Sequence, residues 1–154
     1  MKRSLLALGL ALTSLTGFAD TSATLNLKGI IPLNLEISIA PTQLAETLDL
    51  TRQVSNEKVA TVTEKSNSWN GYKVKAKSNN GGKLVNANDV NKFVQYQLTY
   101  NGSNMALNQS ATEIYSTQNL RGTYNKDVKI SYSQPNDLSA GTYSDVIQFT
   151  IEAN

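Results

Sequence analysis

The chain of 154 residues contains no cysteine and no histidine. Without cysteine, no disulfide can form even in an oxidising compartment. Without histidine, the chain lacks the commonest metal ligand and the usual general base near neutral pH. No nucleophile elbow, glycine-rich phosphate loop or calcium-loop pattern takes their place. We therefore expect no cofactor, no metal site and no enzymatic activity; a pair of carboxylates among the 12 acidic residues is the alternative that the sequence leaves open.

Long apolar runs are also scarce, and the main one lies at the N-terminus. Lys2 and Arg3 precede an apolar stretch over residues 4–15, which is shorter than the roughly 20 residues that span a bilayer. Gly17 and Ala19 then place small residues at the −3 and −1 positions of a cleavage after Ala19. This order is typical of a secretory signal peptide, although a buried N-terminal helix is the alternative. We predict a signal peptide over residues 1–19, export through the Sec pathway, and no integral membrane segment in the rest of the chain.

The excess of positive charge belongs to this leader. The chain has 14 basic and 12 acidic residues, and two of the basic ones, Lys2 and Arg3, lie in the predicted signal peptide. The remainder therefore carries 12 residues of each sign, so a nucleic-acid partner, which would need a basic face, is not expected. A net charge near zero weakens electrostatic repulsion and permits self-association.

Apolar and polar residues alternate with period two through much of the chain, which is typical of half-buried β-strands. Pro32 separates the first two alternating segments. The pattern predicts about eight short strands, over residues 23–31, 33–39, 48–50, 58–63, 72–77, 94–100, 128–132 and 143–151. We therefore predict one all-β domain over residues 20–154, folded as an antiparallel β-sandwich.

Two aromatic residues are candidates for ligand contact. Trp69 lies in a predicted turn, and Tyr72 begins the strand that follows. If exposed, their rings would stack on a sugar or on a partner protein. A lone tryptophan beside a strand more often closes the end of a sandwich, so burial of Trp69 is the preferred prediction. Lys73, Lys75 and Lys77 are predicted to form a solvent-facing stripe on the same strand.

Two stretches resemble a known family. Residues 25–31, LNLKGII, resemble the apolar-x-apolar-x-Gly-x-apolar opening of bacterial fimbrial subunits. Residues 139–151, SAGTYSDVIQFTI, resemble the closing strand shared by chaperone–usher pilins and the related spore coat protein U domain. The resemblance implies an immunoglobulin-like sandwich that lacks one strand. A periplasmic chaperone would supply that strand first, and the N-terminal extension of the next subunit would then replace it.

The chain departs from this family in its cysteines and at both ends. The family's common cysteine pair is absent, and Glu152-Ala153-Asn154 lacks the penultimate tyrosine of many pilins. Few residues precede the first alternating segment, so either residues 20–31 hold the donor strand, or the subunit donates none. In the donor interpretation, the residues that contact a neighbouring subunit are Leu25, Leu27, Gly29 and Ile31 on the donor, and Phe149 and Ile151 on the strand that lines the groove.

The preferred interpretation is a secreted structural subunit of a fimbria, pilus or surface coat. The resemblance implies other pilin subunits, a periplasmic chaperone and an outer-membrane usher as partners, and passage through the periplasm to the cell surface. The alternative is a secreted adhesin module that binds carbohydrate or another surface through Trp69 and Tyr72.

Overall fold

The computed structural model describes residues 22–154, so the predicted signal peptide, residues 1–19, lies outside the described residues. The chain divides into two units, residues 1–31 and residues 32–154. Residues 22–31 of the first unit form no helix or strand. Within the described part of the chain, no helix is long and apolar enough to cross a membrane.

Residues 32–154 form an antiparallel β-structure in three sheets. The first sheet has the order β1-β2-β9-β6-β7, the second β11-β3-β8 and the third β10-β4-β5. One 3-10 helix, Gln43–Glu46, follows the first strand. The strands are β1 (Leu35–Pro41), β2 (Val54–Ser66), β3 (Tyr72–Ser78), β4 (Lys83–Asn86), β5 (Phe93–Gln95), β6 (Gln97–Tyr100), β7 (Ser103–Asn104), β8 (Thr112–Thr117), β9 (Gly122–Tyr132), β10 (Tyr143–Ser144) and β11 (Ile147–Ala153).

The core follows from the alternation of side chains along these strands. Val62 on β2, Val128 on β9 and Val74 on β3 are all buried, and their polar neighbours in sequence point away from the core. Buried aromatic residues, including Tyr72 and Tyr100, complete the apolar interior. The predicted all-β antiparallel sandwich is confirmed, and one side of it is left unclosed.

Some predicted elements differ from the structure. Residues 23–31 form no strand, and the alternating segment after Pro32 forms β1 two residues later than predicted. Leu48 and Leu50 lie in a loop and pack on the core from there, so the strand predicted for them is wrong. Three strands, β4, β7 and β8, have no predicted counterpart, because β4 and β7 are short and β8 carries little alternation.

The strand registers define two ends of residues 32–154. The lower end holds Asn34, the β2–β3 turn at residues 67–71, the β8–β9 turn at residues 118–121, and Asn154. The upper end holds the loops at residues 42–53 and 133–142, which lie beyond the other ends of β1, β2, β9 and β11.

Candidate functional site

Two strand edges lie unpaired next to each other. β1 is the edge strand of the first sheet, and β11 is the edge strand of the second. The two strands run side by side in opposite directions, with Cα atoms within 8 Å of each other. No backbone hydrogen bond joins them in the described chain, so each presents a row of unpaired N–H and C=O groups. We call the cleft between β1 and β11 the edge groove.

The side chains that face the edge groove are incompletely buried. Ile39 is 42% exposed, whereas Val62 on β2 and Val74 on β3, each one strand further in, are fully buried. The half-buried apolar residues of the groove are Leu35, Ile37, Ile147, Phe149 and Ile151. The hydrophobic core is therefore uncovered along this side, and covering it would be favourable at about 25 cal/mol per Å² of apolar surface.

The floor of the edge groove rests on a buried polar cluster. The ring of Phe149 lies 6.0 Å from the ring of Tyr100, measured between centroids. The Tyr100 hydroxyl donates to the carboxyl group of Glu64, and the Tyr72 hydroxyl donates to its other oxygen at 2.7 Å. All three residues are almost completely buried. Burial, reinforced by the bonds to Glu64, raises the pKa of Tyr72 and of Tyr100, so both hydroxyl groups keep their protons.

Asp145 fixes the upper end of β11. Its carboxyl group accepts hydrogen bonds from the Ser78 hydroxyl at 2.5 Å, the Tyr96 hydroxyl at 2.6 Å and the Asn80 backbone N–H at 3.0 Å. Burial and the bond to Asp145 raise the pKa of Tyr96. These bonds tie the start of β11 to the turn after β3, and they therefore set the position of one wall of the groove.

Two cavities lie at the upper end. They have volumes of about 650 and 380 Å³ and share Leu48, Leu50, Gly141 and Tyr143 as lining residues. One wall is the segment that follows β1, and the other is the segment that leads into β11. Apolar surface is therefore also accessible in the loops beyond the two strands.

The predicted subunit-contact residues fall into two groups. Phe149 and Ile151 lie on β11, where the structure brings them together with the inward-facing residues of β1. The other four lie in residues 22–31, which have no strand partner in this chain, and Leu25 and Leu27 are 81% and 86% exposed. Gly29 and Ile31 are exposed in the same segment.

The two candidate ligand-contact residues differ from the prediction in how far they are exposed. The predicted burial of Trp69 is wrong: its side chain is 70% exposed, because it lies in the β2–β3 turn with only the Arg121 guanidinium on its ring, 4.3 Å from the centroid. Tyr72 is completely buried and bonded to Glu64, so a surface contact through Tyr72 is also wrong. The alternation of β3 explains this, since Tyr72, Val74 and Ala76 share the core-facing side.

The lysine stripe on the opposite face of β3 is present as predicted. Lys73, Lys75 and Lys77 are half-exposed, and the Lys75 ammonium group lies 2.8 Å from a carboxylate oxygen of Glu152 on β11. The hydrogen bond from Lys75 lowers the pKa of Glu152. This pair lies outside the core and links the two strands on their solvent side.

The sequence interpretation missed the two acidic residues that organise the site. Glu64 follows Val62 at the same strand parity, and this is a signal that it faces the core. Asp145 lies inside the strand predicted over residues 143–151, and its role does not show there because the donors from Ser78, Asn80 and Tyr96 are distant in sequence. In residues 22–154, no group of three acidic side chains is arranged to hold a metal ion.

Comparisons with known proteins give similarity to solved structures only. No protein-family model matches the chain, and no curated protein sequence matches it. Among solved structures, the chain is similar to the CooA pilin subunit from enterotoxigenic Escherichia coli, with a TM-score of 0.42 and 12% sequence identity. The similarity covers 65% of this chain and 70% of that chain.

Proposed function

We propose that this protein is a non-enzymatic structural subunit of a bacterial fimbria, pilus or surface coat. Residues 22–31 of one copy act as a donor strand that enters the edge groove of the next copy by β-augmentation. The observation that carries the proposal is the edge groove itself, in which two neighbouring strands combine unpaired backbone groups with half-exposed apolar side chains.

The donor segment has the pattern that such a groove requires. Leu25, Leu27, Gly29 and Ile31 share one side of an extended strand, and the polar residues Thr24, Asn26 and Lys28 share the other. Because Leu25 and Leu27 are almost fully exposed in the single chain, burying each would contribute about 1.5–3 kcal/mol. Gly29 has no side chain and fits a shallow part of the groove.

The backbone of the donor supplies the second source of affinity. The free N–H and C=O groups of β1 and β11 would bond to the inserted strand, which would then close the open side between the two sheets. Paired strands lie about 4.8 Å apart, so β1 and β11, whose Cα atoms approach within 8 Å, would move apart to about 9.6 Å as the donor enters. The nine residues from 23 to 31 extend over roughly 30 Å, and the seven residues of β11 over roughly 23 Å. The donor is therefore long enough to cover the whole of β11 and to reach the cavities at the upper end.

The proposed route to the cell surface follows the family resemblance. A Sec signal peptide at residues 1–19 directs export, and a periplasmic chaperone covers the edge groove until an outer-membrane usher passes the subunit to the growing fibre. Unpaired strand edges with apolar side chains aggregate when left open, which gives a physical reason for a chaperone. The partners in the finished structure are other copies of this chain or related pilin subunits.

Substitution of the two faces of the donor tests the proposal. The double variant Leu25→Asn with Leu27→Asn changes the apolar face, and Asn26→Ser with Lys28→Ser is the matched control on the polar face. We expect the exported protein and the control to form multimers that resist SDS without heating, and the apolar-face variant to remain a monomer. Multimers of unchanged length and yield in the apolar-face variant would refute the donor role.

A second candidate, an adhesin module that binds carbohydrate, is favoured by one observation, the exposed ring of Trp69. Binding would quench or shift the fluorescence of this residue, which is the only tryptophan in the sequence. A glycan array followed by fluorescence titration tests this candidate. If the native chain binds no glycan, or if Trp69→Ala binds the same glycans equally well, the adhesin function is refuted.

A further inference from the structure

An aromatic residue and a cation lie exposed together at the lower end. The indole ring of Trp69 is exposed, and the guanidinium group of Arg121 stacks on it at 4.3 Å. Within residues 22–154, no carboxylate lies within 4.0 Å of Arg121. Tryptophan and arginine are the residue types that most often dominate protein–protein interfaces. We call Trp69 and Arg121 the lower-end pair.

Asn67 holds the root of the N-terminal segment beside this pair. Its side-chain oxygen accepts from the Asn34 backbone N–H at 2.7 Å, and its side-chain amide donates to the Pro32 carbonyl at 2.8 Å. The Asn67 backbone N–H also donates to the Asn34 carbonyl at 3.2 Å. Residues 32–34 are therefore fixed to the lower end through Asn67, which lies only two residues before Trp69 in the sequence.

This short root limits how far apart two joined copies can lie. If residues 22–31 act as the donor strand, as proposed above, Ile31 is the last residue held by the next copy. Ile31 and Asn34 are three residues apart, and three extended residues span at most about 11 Å. The surface of the next copy must then come within that distance of Asn34, which brings the lower-end pair into the junction between copies.

The direction of the donor decides which end of the next copy is met. In every copy, residues 32–34 continue the line of β1 at the lower end, immediately before Leu35. A donor that pairs antiparallel with β11, the slightly more stable kind of pairing, leaves the groove at the upper end, because β11 runs from the upper end to the lower end. The lower end of one copy then faces the upper end of the next. Such a head-to-tail contact builds a fibre when its rotation does not close a ring.

The upper end has a surface that complements the lower-end pair. We infer that Trp69 and Arg121 of one copy dock into the larger upper-end cavity of the next copy. The cavity of about 650 Å³ has a lining of apolar and polar side chains, and two acidic groups lie in the loops that form it. Asp49 lines the cavity and pairs with Arg52 at 3.3 Å, and Asp137 is almost fully exposed and pairs with Lys92 at 3.4 Å. The indole would cover apolar surface, and the guanidinium would join these exposed ion pairs at their carboxylates. The apolar lining residues are Leu48, Leu50, Pro135, Leu138 and Tyr143.

Cysteine cross-linking tests the contact, because the chain has no cysteine of its own. Asn70→Cys beside Trp69 and Ser139→Cys in the cavity wall form the test pair, and they lie at opposite ends of one copy. Asn70→Cys with Phe93→Cys is the control pair, since Phe93 lies half-exposed on β5 outside the cavity. With a short bismaleimide added to assembled multimers, we expect a covalent ladder on heated SDS gels from the test pair, about tenfold above the control.

Truncating the lower-end pair gives the second measurement. In the background of the test pair, Trp69→Ala is expected to lower the cross-linked yield about tenfold, the effect of losing an interface residue worth about 1.4 kcal/mol. Phe93→Ala is the matched control and should leave the yield unchanged. SDS-resistant multimers that do not cross-link through the test pair, or whose yield Trp69→Ala does not alter, would overturn this contact and leave the donor strand standing. A chain that forms no multimers at all would overturn both.

Discussion

Removing one hydroxyl group beneath the edge groove tests how its floor is held. Tyr100 contributes both a ring, which contacts Phe149, and a hydroxyl, which donates to the buried Glu64. The substitution Tyr100→Phe keeps the ring and removes only the donor. Glu64 is then left with the hydrogen bond from Tyr72 at 2.7 Å as its remaining side-chain contact.

The cost follows from the burial of Glu64. A buried polar atom that loses its partner costs about 1–3 kcal/mol, and Glu64 has no access to solvent that would replace the hydroxyl. We therefore expect Tyr100→Phe to lower the free energy of unfolding by about 2 kcal/mol, which lowers Tm by roughly 8 °C in a domain of this size. Glu64→Gln should cost only about 1 kcal/mol, because an amide can accept from one tyrosine and donate to the other.

Urea denaturation of monomer, followed by far-UV circular dichroism, measures these differences. The matched control is Tyr124→Phe, which removes a hydroxyl that donates to the Arg121 carbonyl in an exposed position. It should change the free energy by no more than about 0.5 kcal/mol. Equal stability of Tyr100→Phe and Tyr124→Phe would show that the Glu64 cluster does not hold the groove floor.

Two further predictions concern the same walls of the groove. Burial raises the pKa of Tyr72, Tyr96 and Tyr100, so above about pH 10 the unfolded chain loses these protons while the folded chain keeps them. Stability should therefore be constant up to about pH 9 and then fall by as much as about 1.4 kcal/mol per pH unit for each tyrosine. Urea midpoints from pH 8 to 11 measure this, and a flat profile would contradict it. Asp145→Asn should lower the free energy of unfolding by about 2 kcal/mol or more in the same assay, because the new NH₂ group would replace a carboxyl oxygen that accepts hydrogen bonds. Asp137→Asn, at an exposed ion pair, is the control and should cost at most about 1 kcal/mol. Equal losses would argue against the anchoring role of Asp145.

The fold class was predictable from sequence because alternation is a local signal. β3 has the predicted position, since a period-two pattern requires only that one side of the strand be buried. The single strand predicted over residues 143–151 is divided into β10 and β11, which belong to different sheets. Leu48 and Leu50 show the limit of this reasoning: both are apolar and two residues apart, yet they contact the core from a loop because no neighbouring strand is available to pair with them.

The environment of single side chains was harder to predict, because it depends on residues distant in sequence. Trp69 is exposed because its turn has no facing sheet and only Arg121, on another turn, covers it. Tyr72 could have been placed in the core from its parity with Val74. The distant partners of Asp145 come from two separate segments, residues 78–80 and Tyr96, and no pattern within one segment would reveal them.

The distribution of sheet edges supports the role proposed for the edge groove. Long unpaired edges promote uncontrolled pairing, and proteins usually shorten or cover them. The edges at β5, β7 and β10 are only two or three residues long. β1 and β11 are seven residues each, they lie beside one another, and the apolar side chains between them are left half-exposed. A donor strand, as proposed above, would cover these two edges together, and it would leave the six-residue edge of β8 and the short edges unpaired.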